Sequence, residues 1–232
     1  NIAQVKIDNM DDQHQEFLDI HRGRSQEIVP IAVVVVASGD GITQVFRQLG
    51  AADIVHGGQT MNPSTKDVLD HVYRAGASEV IMLPNNPNIV SAAQQAATMS
   101  SIPVHVLPTT SIPQGVAALL AFNPDMDASS NLKQMQDSIK TVQSGEVTNA
   151  VRATSVDGHN VRKGAAIALL DGSLIATART IRQALEEMCA QAGPASGALI
   201  TLYWGGKVTE KDAKKVGSGV RARCPGVEVQ LV

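Results

Sequence analysis

The chain has 232 residues, with 19 basic and 22 acidic side chains and a formal net charge of −3. A composition of 44% hydrophobic and 18% charged residues is that of an ordinary globular protein and excludes a disordered chain. The negative balance and only six aromatic residues (Phe 3, Tyr 2, Trp 1) exclude a general nucleic-acid binder or a stacking platform, and no apolar run reaches the ~18 residues needed to span a bilayer.

Residues 1–29 open with a short alternation, Val5 and Ile7, and then turn polar. They read as the end of a preceding domain followed by a connecting helix. With no initiator Met and no signal-peptide pattern, the expectation is a piece of a longer, cytoplasmic protein. From Pro30 the pattern changes. The β-branched run Ile31 to Ala37 reads as a strand covered on both faces. A turn, Ser38-Gly39-Asp40-Gly41, leads into a helix carried by Ile42, Val45, Phe46 and Leu49. Asp53-Ile54-Val55 is a second short strand. The long turn Gly57 to Thr65 follows, and Ser64 with Asp67 fits a capping box that starts the next helix. Val80 to Pro84 is a third strand, with Asn85-Asn86-Pro87-Asn88 and a helix over Ile89 to Met99 behind it. Val104 to Pro108 is a fourth strand, followed by Thr109 to Gln114 and a helix from Val116 to Phe122. Four strand–helix units in succession predict a parallel sheet with right-handed crossovers.

Asn123-Pro124-Asp125 reads as a boundary. Beyond it, Leu132, Met135, Ile139 and Val142 share one helix face, closed by Gly145. Ala150 to Ser155, Ala165 to Leu170 and Leu174 to Ala178 read as strands joined by Asp157-Gly158 and Asp171-Gly172-Ser173, since Asp-Gly between strands signals a hairpin. A helix through Ile181 and Met188, a strand Ala198 to Tyr203, a basic helix from Thr209 and a strand Val227 to Leu231 complete the chain. The predicted division is therefore a connecting segment (1–29), a parallel α/β lobe (30–125) and a smaller mixed α/β lobe (126–232).

In a parallel α/β sheet, ligands gather where the strands end. Four turns occupy that edge: 38–41, 57–65, 85–88 and 109–114. They contain no Lys or Arg, and Asp40 is their single carboxylate. Neutral donors, backbone N–H groups and helix N-termini suit a carboxylate, a phosphate or a carbonyl oxygen. They do not suit proton transfer, which needs a placed acid or base. The candidate ligand residues are Ser38, Gly39, Gly57, Gly58, Gln59, Thr60, Asn62, Ser64, Asn85, Asn86, Thr109, Thr110, Ser111 and Gln114. His56 is the one histidine near this edge. No residue is assigned to catalysis or to a metal, the six histidines lacking ligand spacing. Cys189 and Cys224 form no disulfide framework and read as two thiols. The basic residues Lys207, Lys211, Lys214, Lys215, Arg221 and Arg223 read as a solvated face, or as a docking surface for an acidic partner.

Three strings carry a family resemblance: Gly57 to Thr65 (GGQTMNPST), Leu83 to Asn88 (LPNNPN) and Pro108 to Gly115 (PTTSIPQG). They resemble the C-terminal region of the fatty acid kinase A family, also described as dihydroxyacetone-kinase-like or DAK-phosphatase-domain proteins. Ile7 to His14 is similar to that family's segment before the C-terminal domain. The resemblance implies a two-lobed α/β fold shared with DegV-type fatty-acid-binding proteins. It further implies a kinase domain elsewhere that binds ATP and Mg²⁺, and a separate DegV-like carrier that presents the fatty acid. The carboxylate-holding turns of those carriers correspond to Gly58-Gln59-Thr60 with Asn62 and Ser64, and to Thr109-Thr110-Ser111. No position matches the substrate histidine of true dihydroxyacetone kinases.

Three roles follow as expectations. The first is a non-catalytic domain for carrier docking through Lys211, Lys214 and Lys215, for homodimerisation or for ligand binding. The second is the substrate domain of a dihydroxyacetone-type kinase, acting on a small carbonyl or phosphorylated compound. The third is a fatty-acid-binding module with an apolar tunnel between the lobes.

Overall fold

A computed structural model describes residues 28–58, 61–156, 159–205 and 208–232. Gln59, Thr60, Lys207, the predicted turn Asp157-Gly158 and residues 1–27 of the predicted connecting segment 1–29 lie outside the described residues. The first lobe is a four-stranded parallel sheet in the order β2-β1-β3-β4. Its strands are β1 (Val29–Ala37), β2 (Asp53–His56), β3 (Ala77–Leu83) and β4 (Val104–Val106). β1 is central because every residue from Ile31 to Ala37 is apolar and buried. Successive side chains point to opposite faces, so the run divides by parity. Ile31, Val33, Val35 and Ala37 enter one core, and Ala32, Val34 and Val36 enter the other.

Helices cover both faces. α1 (Asp40–Gln48), α4 (Ile112–Leu120) and α5 (Ala128–Ile139) bury Phe46, Ala118, Leu119 and Met135 on the first face. α2 (Thr65–Arg74) and α3 (Pro87–Met99) bury Val68, Val72, Ile89, Ala93 and Ala96 on the second. The chain runs outward from β1 to β2 and then crosses back to β3. The topological switch point therefore lies between the ends of β1 and β3, the place where such sheets take ligands.

α5 departs from the predicted division at residue 125. Met135 is fully buried in the first lobe's core, with Leu132 and Ile139 packed against it. Asn131, also fully buried, holds the preceding turn. Its Nδ2 donates to the carbonyls of Asn123 (2.8 Å), Met126 (3.0 Å) and Asp127 (3.2 Å), and its Oδ1 accepts from Asn123 N (2.8 Å).

The second lobe holds a three-stranded antiparallel sheet of β5 (Gly145–Asn149), β8 (Ala166–Leu170) and β9 (Ser173–Ala178), in the order β5-β8-β9. β6 (Thr154–Val156) pairs antiparallel with β7 (His159–Val161), and β10 (Leu199–Leu202) runs parallel to β11 (Glu228–Leu231). α6 (Ile181–Ala192) and α7 (Glu210–Arg223) close the core around Ala166, Ala168, Ala184, Leu185, Met188, Val220 and Val229. Two readings are corrected. Gly145 does not end a helix; it opens β5. The predicted strand Ala150 to Ser155 is replaced by β5 and β6 on either side of Ala150. β5 is an edge strand on which only Val147 is half-buried, so no apolar run marks it. Asp171 (φ 47°) and Gly172 (φ 83°) form the two-residue hairpin turn expected of Asp-Gly.

Candidate functional site

All four predicted turns leave the same edge of the parallel sheet, and direct contacts join them. On the β1 side, Gly57 N donates to Ala37 O (3.1 Å). Gly57 is so close to Val36 and Pro63 that a Cβ would come within 2.7 Å of Pro63 Cδ and 3.0 Å of Val36 Cγ1. The chain then folds back, with Gly58 N donating to Met61 O (2.9 Å) and Met61 N to Gly58 O (3.3 Å). Gly58 lies against Ser38, whose Oγ would be 2.7 Å from a Cβ there. Met61 is 59% exposed beside this bridge, and Asn62 is also exposed. His56 ends β2 in register with Ala37, exposed at the same rim.

The β3 and β4 turns meet in a buried brace. Asn85 takes φ 55°, a left-handed conformation that Asn tolerates better than most residues. Its Nδ2 donates to Val36 O (3.0 Å), its Oδ1 accepts from Thr109 Oγ1 (2.8 Å), and its N–H donates to that same oxygen (3.0 Å). Gly115 of α4 lies flat against the carboxamide, leaving no room for a side chain. Three strand ends and a helix are thus tied through one side chain. Asn85, Asn86 and Thr109 are all buried.

The remaining candidates serve helix starts. Ser64 and Asp67 form the expected capping box on α2. Asn86 Oδ1 accepts from Asn88 N (2.9 Å) on α3. Ser111 Oγ accepts from Gln114 N (3.3 Å) on α4, while Gln114 Oε1 accepts from Thr110 N (2.8 Å) and Thr110 Oγ1 (3.1 Å). α1 differs. Its cap is Gly39 (φ 86°), with no side-chain hydrogen bond, so no side chain satisfies its first N–H groups. The candidates therefore divide into two sets. Ser38, Gly39, Gly58 and Asn62 form an accessible rim, whereas Asn85, Asn86, Thr109, Thr110, Ser111, Gln114 and Ser64 satisfy one another or the backbone. Gln59 and Thr60 lie outside the described residues.

The second lobe reaches this edge through residues that sequence reasoning did not select. Ser111 Oγ is 2.6 Å from Ser144 Oγ, and Ser144 exchanges bonds with the β8–β9 turn, its N–H donating to Asp171 Oδ1 (2.8 Å) and its carbonyl accepting from Asp171 N (2.8 Å). Ser144 had no local signal, and Asp171 showed only its turn chemistry.

The basic helix is α7. Its exposed Lys211, Lys214 and Lys215 share a face with Glu210 and Ser218 around a shallow depression of about 510 Å³. Lys214 Nζ pairs with Glu210 (2.6 Å) and Lys215 Nζ approaches Asp212 (4.0 Å). Among the described residues, no group of three or more His, Cys, Asp or Glu is placed to hold a metal ion. Nor is any helix among them long and apolar enough to cross a membrane.

A doubly wound parallel lobe followed by a mixed lobe, with a hydroxyl- and amide-lined rim at the switch point, defines a two-lobed α/β protein. Its fold is similar to that of the Streptococcus pneumoniae fatty acid kinase B3 protein loaded with linoleic acid, at a TM-score of 0.52 and 13% identity over 88% of this chain and 92% of that one. The chain belongs to the FakA-like C-terminal family, the C-terminal domain of proteins like the A component of fatty acid kinase, whose model matches residues 32–232. It is 35% identical over 235 residues to protein YloV of Bacillus subtilis and 33% identical over 237 residues to an uncharacterized protein of Staphylococcus aureus strain USA300. Each alignment covers 99% of this chain but only 42% of the relative.

Proposed function

We propose that this chain is a non-catalytic docking domain of a fatty-acid-kinase-like protein. It holds a DegV-like fatty-acid carrier while ATP and Mg²⁺ act in another part of the protein, in the cytoplasm. The observation that carries this reading is the state of the edge. Its buried polar groups are paired with one another through Asn85 and Thr109, and its exposed groups are hydroxyls and amides together with the Asp40 carboxylate and His56, with no acid–base pair among them. Such a surface positions an oxygen-bearing group without moving a proton. An acyl tunnel through the first lobe would have to displace Phe46, Ile81, Leu83, Leu119 and Met135, all 2% exposed or less. That confines any acyl chain to the seam between the lobes, the route expected of a fatty-acid-binding module. The test is native mass spectrometry of the chain, alone and with a DegV-like carrier. A 1:1 complex that disappears on combined Lys211→Glu, Lys214→Glu and Lys215→Glu, with unchanged circular dichroism, supports docking through α7. A complex that survives all three reversals removes α7 from the interface, and the same spectra report a homodimer.

The uncapped start of α1 favours a second reading, in which the rim itself binds a carboxylate or phosphate. Ser38→Ala or Asn62→Ala then weakens such a ligand by about 1–3 kcal/mol, the usual effect of an orphaned polar partner. Titration with a soluble fatty acid and with inorganic phosphate separates the two ligands, and an unchanged affinity in both variants rejects the rim.

A further inference from the structure

The two cysteines are 35 positions apart in the chain, yet they meet between the C-terminal ends of α6 and α7. Both are free, buried and members of the second lobe's core. Both belong to the same packed cluster. They also share an opening, a depression of about 260 Å³ lined by Cys189, Ala190, Gly193, Pro194, Arg223, Cys224 and Pro225. Both cysteines contribute to the wall of that opening. We propose that Cys189 and Cys224 form a redox-modifiable dithiol, converted by a hydroperoxide into a disulfide that ties α6 to α7.

The two sulfurs are not equivalent. Burial, and then the neighbouring Cys224, push the Cys189 thiol up to about 11, so it remains protonated at neutral pH. Cys224 is the C-cap of α7, directly after Arg223, which lines the same depression, and it is the more exposed of the two cysteines. Cys224 therefore attacks the peroxide. Its sulfur forms an S–O bond as the O–O bond breaks, and the outer oxygen leaves with a proton as water or alcohol. Cys189 sulfur then attacks the Cys224 sulfenic acid, the S–O bond breaks, and the hydroxyl leaves as water with the Cys189 proton. Two thiols lose two electrons to one hydroperoxide. The disulfide closes a loop across α7, and such a loop restricts the unfolded chain.

The test exposes the chain to hydrogen peroxide under native conditions, with circular dichroism to confirm the fold. The expected product is a monomer lighter by two hydrogens, with Cys189 and Cys224 peptides linked, reversed by dithiothreitol, and with a raised Tm. In Cys189→Ser, dimedone should trap a sulfenic acid on Cys224; in Cys224→Ser, the remaining Cys189 should stay unlabelled. The proposal is overturned if the chain forms only intermolecular disulfides, if peroxide leaves its mass unchanged, or if Cys189 is the residue trapped by dimedone.

Discussion

Gly115→Ala isolates the brace at the switch point. Gly115 lies within α4, where alanine is ordinarily preferred by about 1 kcal/mol. Here the added Cβ would overlap Asn85 Oδ1 and lie 2.6 Å from Cγ and 2.7 Å from Nδ2. The carboxamide has nowhere to go, because Asn85 is 6% exposed and held by Val36 O and Thr109 Oγ1. Expelling it breaks two buried hydrogen bonds, at about 1–3 kcal/mol for each group left unpaired. Subtracting the propensity gain of about 1 kcal/mol leaves a net loss of roughly 1–5 kcal/mol. The assay is urea unfolding followed by circular dichroism, read as a lower midpoint at constant m. Gly217→Ala is the control. Its Cβ would meet the flexible end of Leu231 at 3.2 Å, so stability should stay within about 1 kcal/mol of the parent. In an Asn85→Gly background the cost of Gly115→Ala should largely vanish, because the obstructing group is gone. A Gly115→Ala protein as stable as the parent, the result propensity alone predicts, refutes the reasoning.

Other perturbations test neighbouring parts. Ser64→Ala removes the capping box on α2 and should lower stability by about 1 kcal/mol in the same assay. The Ser64 hydroxyl, and then its amide, hold the Asp67 carboxyl below the usual carboxylate range. Because that folded-state pKa is depressed, its contribution is complete above the unfolded value of about 4 and is lost as pH falls through the folded one. Ser64→Ala should therefore reduce the dependence of stability on pH below about 4, and an unaltered acid limb rejects the link. Asn131→Ala should cost about 3 kcal/mol by orphaning the turn from Asn123 to Asp127, with loss of amide protection there in hydrogen exchange. Asp171→Ala loses the bond to Ser144 N and places alanine at positive φ. It should lower the midpoint by about 1–2 kcal/mol, and Asp171→Asn should lower it less.

The parallel lobe was legible because its physics is local and periodic. The run from Ile31 to Ala37 can be nothing but a strand buried on both faces, and Ser64 with Asp67 fixes a helix start within four residues. β5 was not legible. An edge strand whose stability comes from pairing Thr148 with Ile167 and Val147 with Ala168 leaves no hydrophobic alternation in its own residues. The candidate turns were found as a set, because composition reports which turns are polar. Composition cannot report which polar groups are already paired. Asn85 and Ser38 looked alike in sequence, yet one is a structural tie across three strand ends and the other lies on the rim. That difference depends on Val36 and Thr109, 49 and 24 positions from Asn85, and on the glycine that lets α4 close over it.

The same distinction changes how α7 should be understood. The six Lys and Arg residues between 207 and 223 read in sequence as a solvated face or as a docking surface for an acidic partner. In the fold, Arg221 Nη2 donates to Val229 O (2.7 Å) and Arg223 lines the depression beside Cys224. Lys214 and Lys215 face Glu210 and Asp212 on their own helix. Over Glu210, Lys211, Asp212, Lys214 and Lys215, three positive charges oppose two negative ones. A net charge near +1 steers encounter weakly at physiological salt, where the screening length is about 8 Å. Under the proposed docking, affinity would then come from contact, and Met61, 59% exposed on the rim near α1 and its first-turn Asp40, is the exposed apolar surface there.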